Sequence, residues 1–65
     1  MADIARKIAL FNAAYKIARA HFSGQHDIRG LGHKLNLGIR RGIAKGITEA
    51  KTLAKEVIRE IEDEN

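Results

Sequence analysis

Residues 35–62 read LNLGIRRGIAKGITEAKTLAKEVIREIE. Within them Ile39, Ile43, Ile47, Ala50, Ala54, Val57 and Ile61 recur at steps of three and four, with Leu35 and Leu53 at the edge of the same stripe. That period places the apolar side chains on one face of a helix. The opposite face collects Arg40, Arg41, Lys45, Thr48, Lys51, Thr52, Lys55 and Arg59. The spacing predicts one helix from about Leu35 to Glu62, about 40 Å long at 1.5 Å per residue.

Toward the N-terminus, a second helix is predicted from about Asp3 to Phe22. Asp3 suits an N-cap or first-turn acid, where a carboxylate meets free N–H groups. Ile4, Ile8, Phe11, Tyr15, Ala18 and Phe22 form one stripe, and Leu10, Ala14 and Ile17 widen it to about half the circumference. The other side carries Arg6, Asn12, Lys16 and Arg19 among alanines 9, 13 and 20. So wide an apolar arc needs at least two neighbours. Ser23-Gly24 stops this helix, with Gly24 suited to a left-handed cap. Residues 23–34 are expected to turn, with room for a short helix that Asp27 would cap and that Gly30 and Gly32 weaken. The chain then restarts near His33 to Asn36.

The expected fold class is therefore all-α: a helical hairpin of two long amphipathic helices, forming a single domain over residues 1–65 and completed by self-association. Association is expected because a chain of 65 residues buries only about 60% of its unfolded surface. Below roughly 70–80 residues a lone core is usually marginal. Cysteine and proline are absent and the aromatics are only Phe11, Tyr15 and Phe22, which excludes disulfides and thiolate metal sites. No apolar run approaches the roughly 18–20 residues needed to cross a bilayer. No secretory signal is expected, and the expected location is the cytoplasm, or a virion or similar assembly made there.

Charge is unevenly distributed. Through Lys55, eleven cations stand against Asp3, Asp27 and Glu49, a net of +8; the last ten residues set Arg59 against Glu56, Glu60, Glu62, Asp63 and Glu64, a net of −4. The chain is a basic body with an acidic C-terminal end over residues 60–65. Acids at a helix C-terminus oppose the macrodipole, and so do Arg40 and Arg41 near a helix N-terminus. Both conflicts would ease if the tail of one chain met the basic segment of another. The competing expectation is a frayed, solubilising end.

Three glycines, Gly38, Gly42 and Gly46, recur every fourth residue and are continued by Ala50 and Ala54. Inside one helix they would cost about 2–3 kcal/mol relative to alanine, so something should offset them. Small residues at this spacing allow close helix contact. The expected helix–helix or oligomer interface joins Ile4, Ile8, Phe11, Tyr15 and Phe22 to Gly38, Gly42, Gly46, Ile39, Ile43 and Ile47. The competing expectation is that the early glycines loosen a helix that starts near Gly46.

The basic residues Arg29, Lys34, Arg40, Arg41, Lys45, Lys51, Lys55 and Arg59 form the candidate nucleic-acid surface. Such a stripe suits phosphates, and Gly30, Gly32 and Gly38 would let backbone N–H groups approach one. The competing expectation is a solvated cationic face. A helix-turn-helix match is weak because the turn is glycine-rich, and no aromatic pair is placed to stack single-stranded bases.

His21, His26 and His33 are five and seven residues apart, which does not put two on one helical face as metal ligands. Ser23 is the lone serine and has no nucleophile-elbow context. Neither an enzyme nor a metal, cofactor or small-molecule substrate is expected. The leading expectation is a small basic helical protein that associates with itself and binds nucleic acid, DNA or RNA, through phosphates. Two other readings compete with it: a structural subunit of a filament or other homo-oligomer, of virion or pilus type, and an amphipathic protein that lies on a membrane surface.

Overall fold

A computed structural model describes residues 2–25 and 28–64. The sequence readings of His26 and Asp27 lie outside those residues. Three helices are present: α1 over Ala2–His21, α2 over Leu31–Arg40 and α3 over Ile47–Asp63. The described residues contain no strand, so the all-helical class holds.

The long helix expected over residues 35–62 is instead two helices, and the two-helix hairpin becomes a three-helix bundle. The break lies at residues 41–46, and Gly42 supplies the turn that makes it possible. Its φ is +80°, the left-handed region that costs an L-residue about 1–2 kcal/mol and glycine nothing. The Gly42 N–H donates to the Ile39 carbonyl at 3.1 Å, and the Ile43 N–H to the Gly38 carbonyl at 3.0 Å. This hydrogen-bond pair is a Schellman motif, which satisfies the free carbonyls of a helix end. Gly46 is extended and precedes α3 as its N-cap. Folding back here lets two helices cover the wide apolar arc of α1, which a single straight helix could not. At its other end α2 begins at Leu31, four residues earlier than expected, and it includes His33, which was expected in a loop. Gly24 has the left-handed φ of +88° anticipated for it and leads the chain out of α1.

Contacts at the two ends fix the helix directions. The Arg6 guanidinium, near the start of α1, donates to the Lys45 carbonyl just before α3. His21, the last residue of α1, lies 3.1 Å from Glu62 in the last turn of α3. Hence α1 and α3 run parallel. Lys34, in the first turns of α2, meets Glu60 and Glu64 at the end of α3, so α2 runs antiparallel to both. The up-down-up bundle measures 37 × 19 × 18 Å.

Along α1 the core stripe is Leu10, Ala14, Ala18 and Phe22, at steps of four. It packs on Leu31, Leu35 and Ile39 of α2, on Ala44, and on Ala50, Leu53, Ala54, Val57, Ile58 and Ile61 of α3. Ala14, Ala18, Ala50 and Ala54 have no exposed surface; small side chains there let the helices approach closely. Phe11 and Tyr15 stack with ring centroids 5.7 Å apart and border the core. Two helices approach closely at Gly38. A Cβ there would collide with Leu53 Cδ1 and lie 3.0 Å from Cδ2, so α3 presses a leucine onto the backbone of α2.

The residues expected to form one interface therefore divide. Phe22, Gly38 and Ile39 are buried within the chain, and Phe11 and Tyr15 are partly buried. Gly42 and Gly46 belong to the connection between α2 and α3. Ile4, Ile8, Ile43 and Ile47 remain exposed. The connection covers the side of α1 that bears Asp3, Lys7 and Leu10, leaving the side of Ile4 and Ile8 without a neighbour. The core lies within one chain, and Ile4, Ile8, Ile43 and Ile47 lie outside it.

Candidate nucleic-acid interface

The eight cations singled out in the sequence do not share one surface. Arg29 precedes α2, Lys34 lies in its first turns, Arg40 and Arg41 close it, Lys45 is in the connection, and Lys51, Lys55 and Arg59 stand on α3. Lys34 is engaged. Its Nζ is 2.8 Å from Glu64 Oε1 and 3.7 Å from Glu60 Oε2. The hydrogen bond to Glu64, with the nearby carboxylate charges, holds the Lys34 ammonium above the ordinary lysine pKa despite some desolvation. Arg41 lines a groove with Glu56 and Glu60, so its surroundings are mixed in sign.

The helical register sorts the charges of α3 into two edges. Glu49, Glu56, Glu60 and Asp63 are separated by seven, four and three residues and so share one edge. The Lys34–Glu60 pair turns that edge toward α2. Lys51, Lys55 and Arg59 follow at steps of four along the other edge. Glu62, seven residues beyond Lys55, shares that edge and meets His21, which turns the cationic edge toward α1.

On α1, Arg6, Ala9, Ala13, Lys16 and Ala20 recur at steps of three and four and form one stripe. The Arg6 contact with the Lys45 carbonyl sets this stripe beside the start of α3. Two parallel helices thus build one cationic face: Arg6 and Lys16 from α1, Lys51, Lys55 and Arg59 from α3, with alanines between. All five side chains are exposed. Among the described residues, Lys16, Lys51, Lys55 and Arg59 have no ion pair. Arg19 lies on the other flank, donating to the Tyr15 hydroxyl at 3.4 Å. His21, besides meeting Glu62, packs edge-on against Phe22 with centroids 5.0 Å apart.

The sequence reading missed Arg6 and Lys16 as members of this face. Their spacing was visible, but its meaning depended on α1 and α3 being parallel, and that follows only once the chain doubles back through α2.

No protein-family profile, curated protein or solved structure matches this chain at a significant level. Among the described residues, no helix is long and apolar enough to cross a membrane.

Proposed function

We propose that this chain is a nucleic-acid-binding protein that grips the phosphate backbone with the α1/α3 face. The observation that carries the reading is the sorting of charge on α3: Glu49, Glu56, Glu60 and Asp63 lie on the edge toward α2, where Lys34 engages Glu60, while Lys51, Lys55 and Arg59 stand exposed on the other edge, where the acid is Glu62, engaged by His21. Exposed lysines and arginines bind phosphates by displacing condensed counterions, so affinity falls with salt. Such contacts position a protein on nucleic acid without reading its sequence. With five cations on the face, each meeting one phosphate, log K against log salt should have a slope of about −4.5, from about −0.9 per phosphate.

The test is fluorescence anisotropy with a labelled duplex at low and moderate salt. Lys51→Glu with Lys55→Glu should reduce affinity about tenfold or more while the helical content is unchanged. Equal affinity in that folded double variant would dismiss the proposal.

A further inference from the structure

Ile4, Ile8, Ile43 and Ile47 are exposed by 60%, 55%, 46% and 53%. They come from the first two turns of α1, the α2–α3 connection and the first residue of α3. The Arg6–Lys45 contact brings these segments to one end of the bundle. The same end carries the net charge of the chain. Residues 2–9 and 40–51 hold six cations against Asp3 and Glu49, and the remaining six cations are matched by six acids, so the whole formal +4 falls in these two segments. Between the start of α1 and the connection lies a cleft of about 270 Å³, floored by Leu10 and Ala44 and rimmed by Arg6, Lys7, Lys45 and Asp3.

Exposed isoleucines and a concentrated positive charge ask different things of a partner. A second copy of this end would bury isoleucine but bring like charges together. A phosphate backbone would meet the charge but leave the isoleucines in water. An anionic bilayer surface satisfies both, with phosphates at headgroup level and an acyl boundary a few ångströms below. We propose that this end of the bundle docks on an anionic bilayer. The isoleucines enter the headgroup–acyl boundary, the cleft holds a lipid phosphate between Arg6, Lys7 and Lys45, and the other cations spread their aliphatic stems on the surface with their charges toward water. This surface shares Arg6 and Lys51 with the α1/α3 face but lies at one end of the bundle, away from Lys55 and Arg59, and its isoleucines are not part of that face; the proposal does not depend on nucleic-acid binding.

The test is co-sedimentation of the full chain with vesicles of phosphatidylcholine alone or with roughly one-third phosphatidylglycerol, at about 150 mM salt, where exposed charges are screened beyond about 8 Å. Binding to the anionic vesicles alone is expected. Ile4→Gln with Ile8→Gln should weaken that binding at least tenfold and leave duplex affinity unchanged. Ile47→Ser, at the exposed first residue of α3, should weaken it in the same direction. Equal binding to neutral vesicles, or undiminished binding by the isoleucine variants, would overturn the proposal. So would loss of duplex affinity in those variants, which would assign the isoleucines to a nucleic-acid contact. Absent vesicle binding, with a wild-type oligomer that the same substitutions disperse, would assign this end to a second copy instead.

Discussion

Lys34 Nζ lies 2.8 Å from Glu64 Oε1 and so joins the first turns of α2 to the C-cap of α3. Acids at the end of α3 oppose its macrodipole, and a lysine near the start of α2 opposes that helix's macrodipole. Bringing the two together eases both conflicts inside one chain; the sequence reading set the tail against Arg40 and Arg41 of another chain, whereas those arginines close α2, where its macrodipole favours them. Glu60 adds a second carboxylate at 3.7 Å. The helix runs through Asp63, one residue past the end expected for it.

Lys34→Met should therefore lower the urea midpoint at neutral pH by a small, measurable amount while leaving duplex affinity unchanged. The pairing raises the pKa of Lys34 above its ordinary value. A raised pKa contributes stability that is fully present below the unfolded-state value and is lost as pH rises through the folded-state value. The gap between wild type and variant should close in strongly alkaline buffer. A gap that persists there would show that the lysine acts through its aliphatic stem.

Gly38→Ala tests the seat of Leu53. Alanine in place of a helical glycine ordinarily stabilises by up to about 1 kcal/mol. Here the new Cβ would collide with Leu53 Cδ1, and Leu53 is only 2% exposed and has little space to retreat. Overpacking of this kind costs about 1–3 kcal/mol, so the net effect should be destabilising. Leu53→Val in the same chain should recover part of the loss, and chemical denaturation of the two variants measures both effects.

Gly42 makes a different demand. A Cβ there meets nothing nearer than Lys45 Cε at 3.8 Å, so space is not limiting and backbone conformation is. Gly42→Ala should cost about 1–2 kcal/mol, and Gly42→Asn less, because asparagine tolerates the left-handed region. If Gly42 were a helix-contact residue, cost would instead rise with side-chain volume. Thermal unfolding of Ala, Asn and Leu variants separates the two.

Lys16 and Arg40 separate the face built by the bundle from the basic stripe read in sequence. Lys16→Glu should weaken duplex binding and flatten the salt slope by about 1 or more. Arg40→Glu, at the end of α2, should have little effect on either. The reverse order would place the nucleic acid on the α2 side.

Much of the bundle was legible in the sequence. The α1 bounds emerged within a residue at each end, because Asp3 and Ser23-Gly24 are local signals. The apolar stripe through Ala50, Ala54, Val57 and Ile61 gave the inward face of α3 for the same reason. The break at residues 41–46 was hidden, because Ile39, Ile43 and Ile47 keep a helical period through it and the glycines share that period. What ends α2 is the burial gained by folding back, a non-local effect that periodicity does not register. The stripe on α1 was also misplaced sideways: Ile4 and Ile8 read as core for their apolarity but are exposed, whereas Leu10 and Ala14, assigned to the edge, are buried. Of the candidate site, the Lys51/Lys55/Arg59 row followed from its spacing. The capture of Lys34 by acids far along the chain, and the contribution of α1, required the fold.

The ten-residue length of α2 has a consequence for how the protein comes apart. A helix of that size does not persist in water by itself, since isolated helices shorter than about 12–15 residues are marginal. It is also the segment that lets α1 and α3 run side by side in the same direction. The two long helices pack on each other more extensively than either packs on α2, so α2 persists only while they hold it. Untethering α2 should therefore unseat it first: after a protease cut in the 41–46 connection, α2 should lose protection before α1 and α3 do.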